Sequence, residues 1–463
     1  MSGPGRIVII GGGAAGLSAA IAAAREAGAG DERQVIITVL DANDVPGKKL
    51  LSTGNGRCNL SNRVQKRECY RSGNGLLPER FYQDGWDLEI EEFMRSVGVL
   101  LHERRDGYLY PRTDQASTVQ QGLIREAQRL GIGLCCSVRV TRCRSVKSGF
   151  ELETQGRGRV SADRIVLAAG GMVSKTYGCR GDGYRLLPLR HRENPPVPAL
   201  CALRSDDPHL KLASGVRTSA SLTLFLDSEP IASAQGELQM TDEGISGIPA
   251  FQISRYVSRA IERQKSMNNM DHMLSDPFVK IDFLPEISRE DWEKECSRRL
   301  RSIHPSDTLG DFCRGLVPDR AAAWILAGFG LVREKKLANL NGPETCLSAA
   351  SSEPVPAVLP EILRQMRGRT IRIIGMESFD KAQVTAGGIA MEEIKDTMES
   401  ARCPGCFLAG ELLDVDGMCG GYNLSWAFHS GLLAGRSAVR SLSGRDWQES
   451  MQSVPGFIKG NHD

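Results

Sequence analysis

The chain has 463 residues, more than one hydrophobic core usually organises, so two or three domains are expected. Hydrophobic residues make up 41% and charged residues 25%, a balance that excludes a disordered chain. With 58 basic against 56 acidic residues, a formal net charge of +2 and no long basic run, the composition argues against a nucleic-acid partner.

Ile7-Val8-Ile9-Ile10 is a wholly apolar, β-branched run that suits the buried central strand of a parallel sheet. The glycines at 11, 12, 13 and 16 then break the apolar stretch where a secretory leader would stay continuous, so the expected location is cytoplasmic. Residues 14–27 read as an alanine-rich helix and 28–34 as a polar loop. Val35–Leu40 reads as a second strand ending at Asp41, which completes a βαβ unit. Residues 137–146, 150–154 and 159–162 read as three antiparallel strands. The apolar strand Arg164–Leu167 follows and ends in Ala168-Ala169-Gly170-Gly171.

At Pro195-Pro196-Val197-Pro198 the character changes. Strands at 221–226 and 279–283 alternate with charged amphipathic helices such as 288–301, up to about Pro360. Short β runs return at 370–375 and 407–410, and a helix closes the pattern over about 423–440. The thirteen cysteines have no framework spacing and read as reduced thiols. Cys403-Pro404-Gly405-Cys406 precedes a strand and lacks a second pair or clustered histidines, so it reads as a turn carrying two thiols, and no metal site is expected. No run reaches the ~20 apolar residues of a membrane-spanning helix.

Gly11-Gly12-Gly13-Ala14-Ala15-Gly16 places glycines at the three positions of a dinucleotide fingerprint. The first permits a tight turn, the second lets a pyrophosphate approach the backbone, and the third lets helix and strand pack closely. The helix start offers free N–H groups and partial positive charge to the phosphates. Asp41 ends the next strand, where an acid accepts hydrogen bonds from ribose hydroxyls; the loop 28–34 accounts for its long spacing. The fingerprint serves FAD and NAD alike. The Gly- and Asn-rich segment Lys48-Lys49-Leu50-Leu51-Ser52-Thr53-Gly54-Asn55-Gly56-Arg57-Cys58-Asn59 reads either as the backbone donors and Arg that the longer cofactor, FAD, needs or as an ordinary exposed loop, which its glycines and asparagines fit equally well.

Four stretches carry a resemblance to a known family: the fingerprint; the segment 48–59; Gly236-Glu237-Leu238 with Gly244-Ile245-Ser246-Gly247; and Val384-Thr385-Ala386-Gly387-Gly388 through Gly410-Glu411-Leu412-Leu413-Asp414 to Gly420-Gly421-Tyr422-Asn423-Leu424. The chain resembles the BaiN-type NAD(P)/FAD-dependent oxidoreductases, which include proteins labelled aminoacetone oxidases. It departs at Met240-Thr241-Asp242, where Phe-Thr-His is usual, and at Gly247-Ile248-Pro249, where Gly-Pro is usual; both bear on substrate choice.

The resemblance implies an α/β fold, with a Rossmann-like FAD-binding domain of the glutathione-reductase type over 1–190 and 366–463. A β-barrel-like plus helical substrate or cap domain would be inserted at 191–365. Gly410, Glu411 and Asp414 would lie near the ribityl chain and pyrophosphate, and Gly420 and Gly421 would open a helix aimed at the flavin. The candidate cofactor contacts are thus Gly11, Gly13, Ala14, Ala15, Gly16 and Asp41, then Lys49, Thr53, Gly54, Asn55, Arg57, Cys58 and Asn59. Val140, Ala169 and Gly170 join them, as do Gly410, Glu411, Asp414, Gly420, Gly421, Tyr422, Asn423 and Leu424.

The leading functional expectation is reduction of a carbon–carbon double bond in a 3-oxo steroid or bile-acid-like small molecule, with NAD(P)H as a transient electron donor. The alternatives are an FAD oxidase of a small amine that forms hydrogen peroxide, and a non-catalytic flavin-binding redox sensor. No second glycine fingerprint follows Leu167, and Ala327-Gly328-Phe329-Gly330 follows a helical segment. The nicotinamide is therefore expected to visit a cleft between cofactor domain and insert and leave before substrate enters, a ping-pong order. No catalytic residue is singled out. Cys58 and Cys419 lack a sequence-evident His partner; Tyr422 is a better candidate for a proton donor, although motif aromatics more often pack against a ring.

Overall fold

In the computed structural model, which describes residues 4–29, 34–187, 190–266, 277–340, 345–346 and 355–442, Gly5–Ile10 (β1) lies at the centre of a five-stranded sheet. The run leads through the glycine turn into Ala14–Gly28 (α1) and then Val35–Leu40 (β2), whose apolar residues fall where expected. Gly133–Cys135 (β3), Arg164–Leu167 (β4) and Cys406–Leu408 (β5) complete the sheet in the order β5-β4-β1-β2-β3, with every pairing parallel. Ile10 stands opposite both Leu40 and Leu167, so three neighbouring strands end at one level. The strand order reverses between β1 and β4, and their carboxyl ends open onto the crevice where such sheets bind ligands.

Tyr422–Leu442 (α2) packs along α1. Its glycines make this possible: a side chain at Gly431 would run into Ser18 Oγ and Ala15 O, and one at Gly435 into Ala19 O. The expected three-stranded antiparallel sheet is formed by Val140–Val146, Gly149–Thr154 and Gly158–Ala162. Its first strand starts three residues later than expected, because Ser137 turns the chain with a φ of +55°.

The chain divides into two compact units, Met1–Pro196 with Gly387–Asp463, and Val197–Ala386. The second unit is built on a seven-stranded antiparallel sheet, in the order Arg369–Arg372, Phe278–Asp282, Arg217–Leu226, Glu229–Met240, Gly244–Gly247, Leu203–Arg204, Gly375–Met376. Arg289–Arg301 follows the N-cap Ser288, which accepts from Asp291 N, and it carries acids in its first turn and arginines in its last.

Two expectations need correction. The inserted sheet is not a closed barrel: among the described residues no ladder joins its two edge strands, which are successive stretches of one segment. Between them, Ile373 N–H bonds Pro277 O and Ile374 N–H bonds Arg204 O, so the segment serves the two edges in turn. The return to the first unit comes at Gly387 rather than 366, because Arg369–Arg372 pairs with Phe278–Asp282 inside the insert. The departure likewise falls after Pro196, not 190.

Candidate functional site

The fingerprint turn is held from three sides. Gly11 adopts a φ of +102°, and a side chain there would strike the Ala168 carbonyl at the end of β4. Gly12 N–H donates to Asp41 Oδ2 at 2.5 Å, and Gly47 N–H donates to Gly12 O at 2.7 Å. Gly16 lies against the Gly11 carbonyl, so only glycine fits there. Gly13 is different: nothing lies within 4 Å of the position a Cβ would take. Behind it, the first turn of α1 carries neither an acidic residue nor a side-chain cap. Its first N–H groups, from Ala14 through Gly16, have no intrahelical acceptors. An open, glycine-lined helix start with unused donors fits a pyrophosphate.

Asp41 is buried at the end of β2, and its carboxylate also accepts from Asn43 N–H at 2.6 Å. It braces the turn, a role that spacing alone did not reveal.

The segment expected to continue the site coils as a 3-10 run over Lys48–Gly56, interrupted at Thr53, Gly54 and Asn55. Asn55 and Cys58 hold φ values of +55° and +61°, conformations that L side chains seldom adopt and that cluster at ligand sites. Thr53 ties the coil internally, with Oγ1 donating to Leu50 O at 2.7 Å and its carbonyl accepting from Cys58 N–H at 3.0 Å. Cys58 is fully buried, and burial pushes its thiol up to about 12, which removes it as a nucleophile. Burial likewise pushes Cys419 up to about 12. Arg57 is exposed.

The C-terminal motif meets these elements. Lys49 Nζ lies 2.6 Å from Glu411 Oε2. Burial works against the Lys49 ammonium, but the Glu411 carboxylate outweighs it and holds Lys49 above the ordinary lysine value. Gly410 packs against Ala15: a Cβ there would approach Ala15 Cβ to 2.9 Å, while its N–H donates to Ser430 Oγ at 3.0 Å. Gly421 lies against Ser61 O and Asn59, whose amide, oriented by its neighbours, accepts from Gly421 N–H at 3.3 Å. Gly420 precedes it beside Tyr108.

Other candidates brace the site. Asp414 Oδ2 accepts from Gly73 N–H and Asn194 Nδ2. The Asn423 amide both accepts from Gly417 N–H and donates to Gly417 O. Leu424 is half-buried on the first turn of α2. Val140 is buried on the antiparallel sheet, two residues beyond Val138, whose N–H bonds Asp41 O. Ala169 and Gly170 follow β4, and Gly170 sits against Cys179 Sγ, a neighbour that no motif pointed to. Tyr422 does not suit the role of proton donor: its hydroxyl already donates to Val64 O at 2.9 Å, and burial drives its pKa up. The C-x-x-C forms a turn, Cys406 N–H to Cys403 O at 3.1 Å, with both thiols free and buried. Among the described residues there is no metal-binding cluster, and no helix is long and apolar enough to cross a membrane.

The HI0933-like protein Rossmann domain model matches residues 5–437. The chain belongs to the HI0933-like family. This HI0933-like protein is 38% identical over 436 residues to a 3-dehydro-bile acid delta(4,6)-reductase of Clostridium scindens, covering 94% of this chain and 99% of that one. It is 26% identical over 445 residues to a ribosomal RNA dihydrouridine synthase of Escherichia coli, with coverages of 94% and 98%. A solved 3-ketosteroid delta1-dehydrogenase from Sterolibacterium denitrificans superposes with a TM-score of 0.44 at 11% identity, over 94% of this chain and 99% of that one. The family agrees with the resemblance carried by the four motif stretches. The HI0933-like protein is an FAD-dependent oxidoreductase.

Proposed function

We propose that this protein reduces a carbon–carbon double bond conjugated to a carbonyl, in a 3-oxo steroid or bile-acid-like substrate, with NAD(P)H as transient electron source. The observation that carries this reading is the full-length 38% identity to a reductase named for a 3-dehydro-bile acid. FAD, when bound, supplies a hydride equivalent to the electron-poor end of such a bond. The residues of the chain do the rest. The N–H groups at Gly13 to Gly16 bind the pyrophosphate, and Asp41 accepts from a ribose hydroxyl while holding Gly12. The Lys49–Glu411 pair locks the 48–59 segment to the C-terminal motif. The start of α2 would turn the positive end of its helix dipole toward the flavin, while Gly421 N–H stays on the Asn59 amide.

A second reading, reduction of uracil in RNA, is favoured by the dihydrouridine synthase relative. That product also arises by saturating a double bond conjugated to a carbonyl. The test is anaerobic: the flavin is reduced with NADPH, then mixed separately with a 3-oxo-4-ene bile acid and with ribosomal RNA. Return of the yellow flavin band with the bile acid alone supports the first reading. Return with RNA alone overturns it in favour of the second.

A further inference from the structure

The short helix Asp182–Leu186 lies against both halves of the candidate site. A Cβ at Gly183 would meet Leu412 Cδ1 at 2.8 Å and Ala169 Cβ at 3.1 Å, so this helix touches the Gly410–Leu412 turn and the exit of β4 at once. The next residue is Tyr184. Its hydroxyl oxygen is buried and has no hydrogen-bond partner among the described residues. The titratable groups that act on it electrostatically are Glu411, Glu193, Asp414 and Cys179. Two of these, Glu411 and Asp414, belong to the C-terminal motif, and Cys179 touches Gly170. Burial first, and those carboxylates second, push the phenol pKa up, so Tyr184 stays a neutral donor at any physiological pH.

Among the described residues of its unit, Trp86 Nε1 and Ser437 Oγ are also buried without a partner. The other deeply buried tyrosine hydroxyls there have acceptors: Tyr70 donates to Gln65 Oε1 at 2.7 Å and Tyr422 to Val64 O at 2.9 Å. A buried hydroxyl without a partner destabilises the fold that contains it, a cost that an acceptor on a bound ligand would remove. None of the carboxylates that act on it, Glu411, Glu193 and Asp414, accepts its proton.

We propose that Tyr184 is a cofactor-positioning residue, whose hydroxyl donates a hydrogen bond to an acceptor oxygen of bound FAD. This rests on the reading of the fingerprint turn as the FAD site. The tests use full-length Tyr184→Phe and Gly13→Val beside the wild type. Flavin release from diluted holoenzyme is followed by fluorescence, and thermal unfolding is recorded with and without added FAD. Tyr184→Phe should release FAD about 3- to 10-fold faster. Without added FAD it should unfold at the same temperature as the wild type or higher, because an unpaired hydroxyl is gone. Unchanged release overturns the proposal. So does an equal loss of stability with and without FAD, which marks a structural role. If Gly13→Val keeps its flavin, the underlying site reading fails; if it loses flavin while Tyr184→Phe retains it like the wild type, only the Tyr184 assignment fails.

Discussion

Lys49 and Glu411, separated by 362 residues, meet at 2.6 Å with both side chains about three-quarters buried. Lys49→Met removes the ammonium that pairs with the partly buried Glu411 carboxylate, and should cost about 2–3 kcal/mol in denaturant unfolding. Adding Glu411→Leu should restore part of that loss. Strictly additive losses would show that the two side chains act independently.

Gly13→Val should give a folded but colourless protein. The φ at Gly13 is −78°, which valine tolerates, and the space before it is open to a side chain but not to a side chain and a pyrophosphate together. Gly16→Val should fail differently, with soluble yield lost, because its side chain would strike the Gly11 carbonyl. Visible absorbance per chain, measured beside the unfolding temperature, separates the two.

Gly435→Ala reverses a general rule. Alanine in a helix interior usually gains about 1 kcal/mol over glycine. At Gly435 its methyl would press on Ala19 O, so a net loss of about 1–3 kcal/mol is expected. An unfolding temperature at or above that of the wild type would contradict the close packing of α1 and α2.

Glu126 sets part of the acid limb of stability. Arg129 foremost, and then Arg25, hold its carboxyl down to about 2 against burial, which pushes the other way. Its folded value is depressed, so its contribution is complete above the unfolded value of about 4.3 and is lost as pH falls toward about 2. Glu126→Gln should therefore lower stability at neutral pH and flatten the decline between those limits. A wild-type slope in the variant would assign the acid limb to other carboxylates.

If NAD(P)H leaves before substrate enters, double-reciprocal plots at several NADPH concentrations should be parallel. Intersecting lines would require both ligands on the enzyme together.

Much of the site was legible because its signals are local. The β-branched run at Ile7 to Ile10, the glycines that follow it and Val35–Leu40 each encode their own backbone geometry, and the structure forms them nearly residue for residue. The edges of the insert were less legible: Arg369–Arg372 reads as a short strand wherever it pairs, and only its bonding to Phe278–Asp282 assigns it to the second unit.

The sequence by itself determined the βαβ start, the fingerprint turn and the family, since each is written in contiguous residues whose conformational preferences need no partner. Tertiary structure alone decided that Asp41 holds Gly12, that Tyr422 spends its hydroxyl on Val64, and that the half-buried Tyr184 keeps its hydroxyl oxygen buried and unpaired. The physical reason is that a hydrogen bond depends on position and direction in space. For side chains whose partners lie tens or hundreds of residues away, those are set by how the strands and helices pack, which no local spacing records.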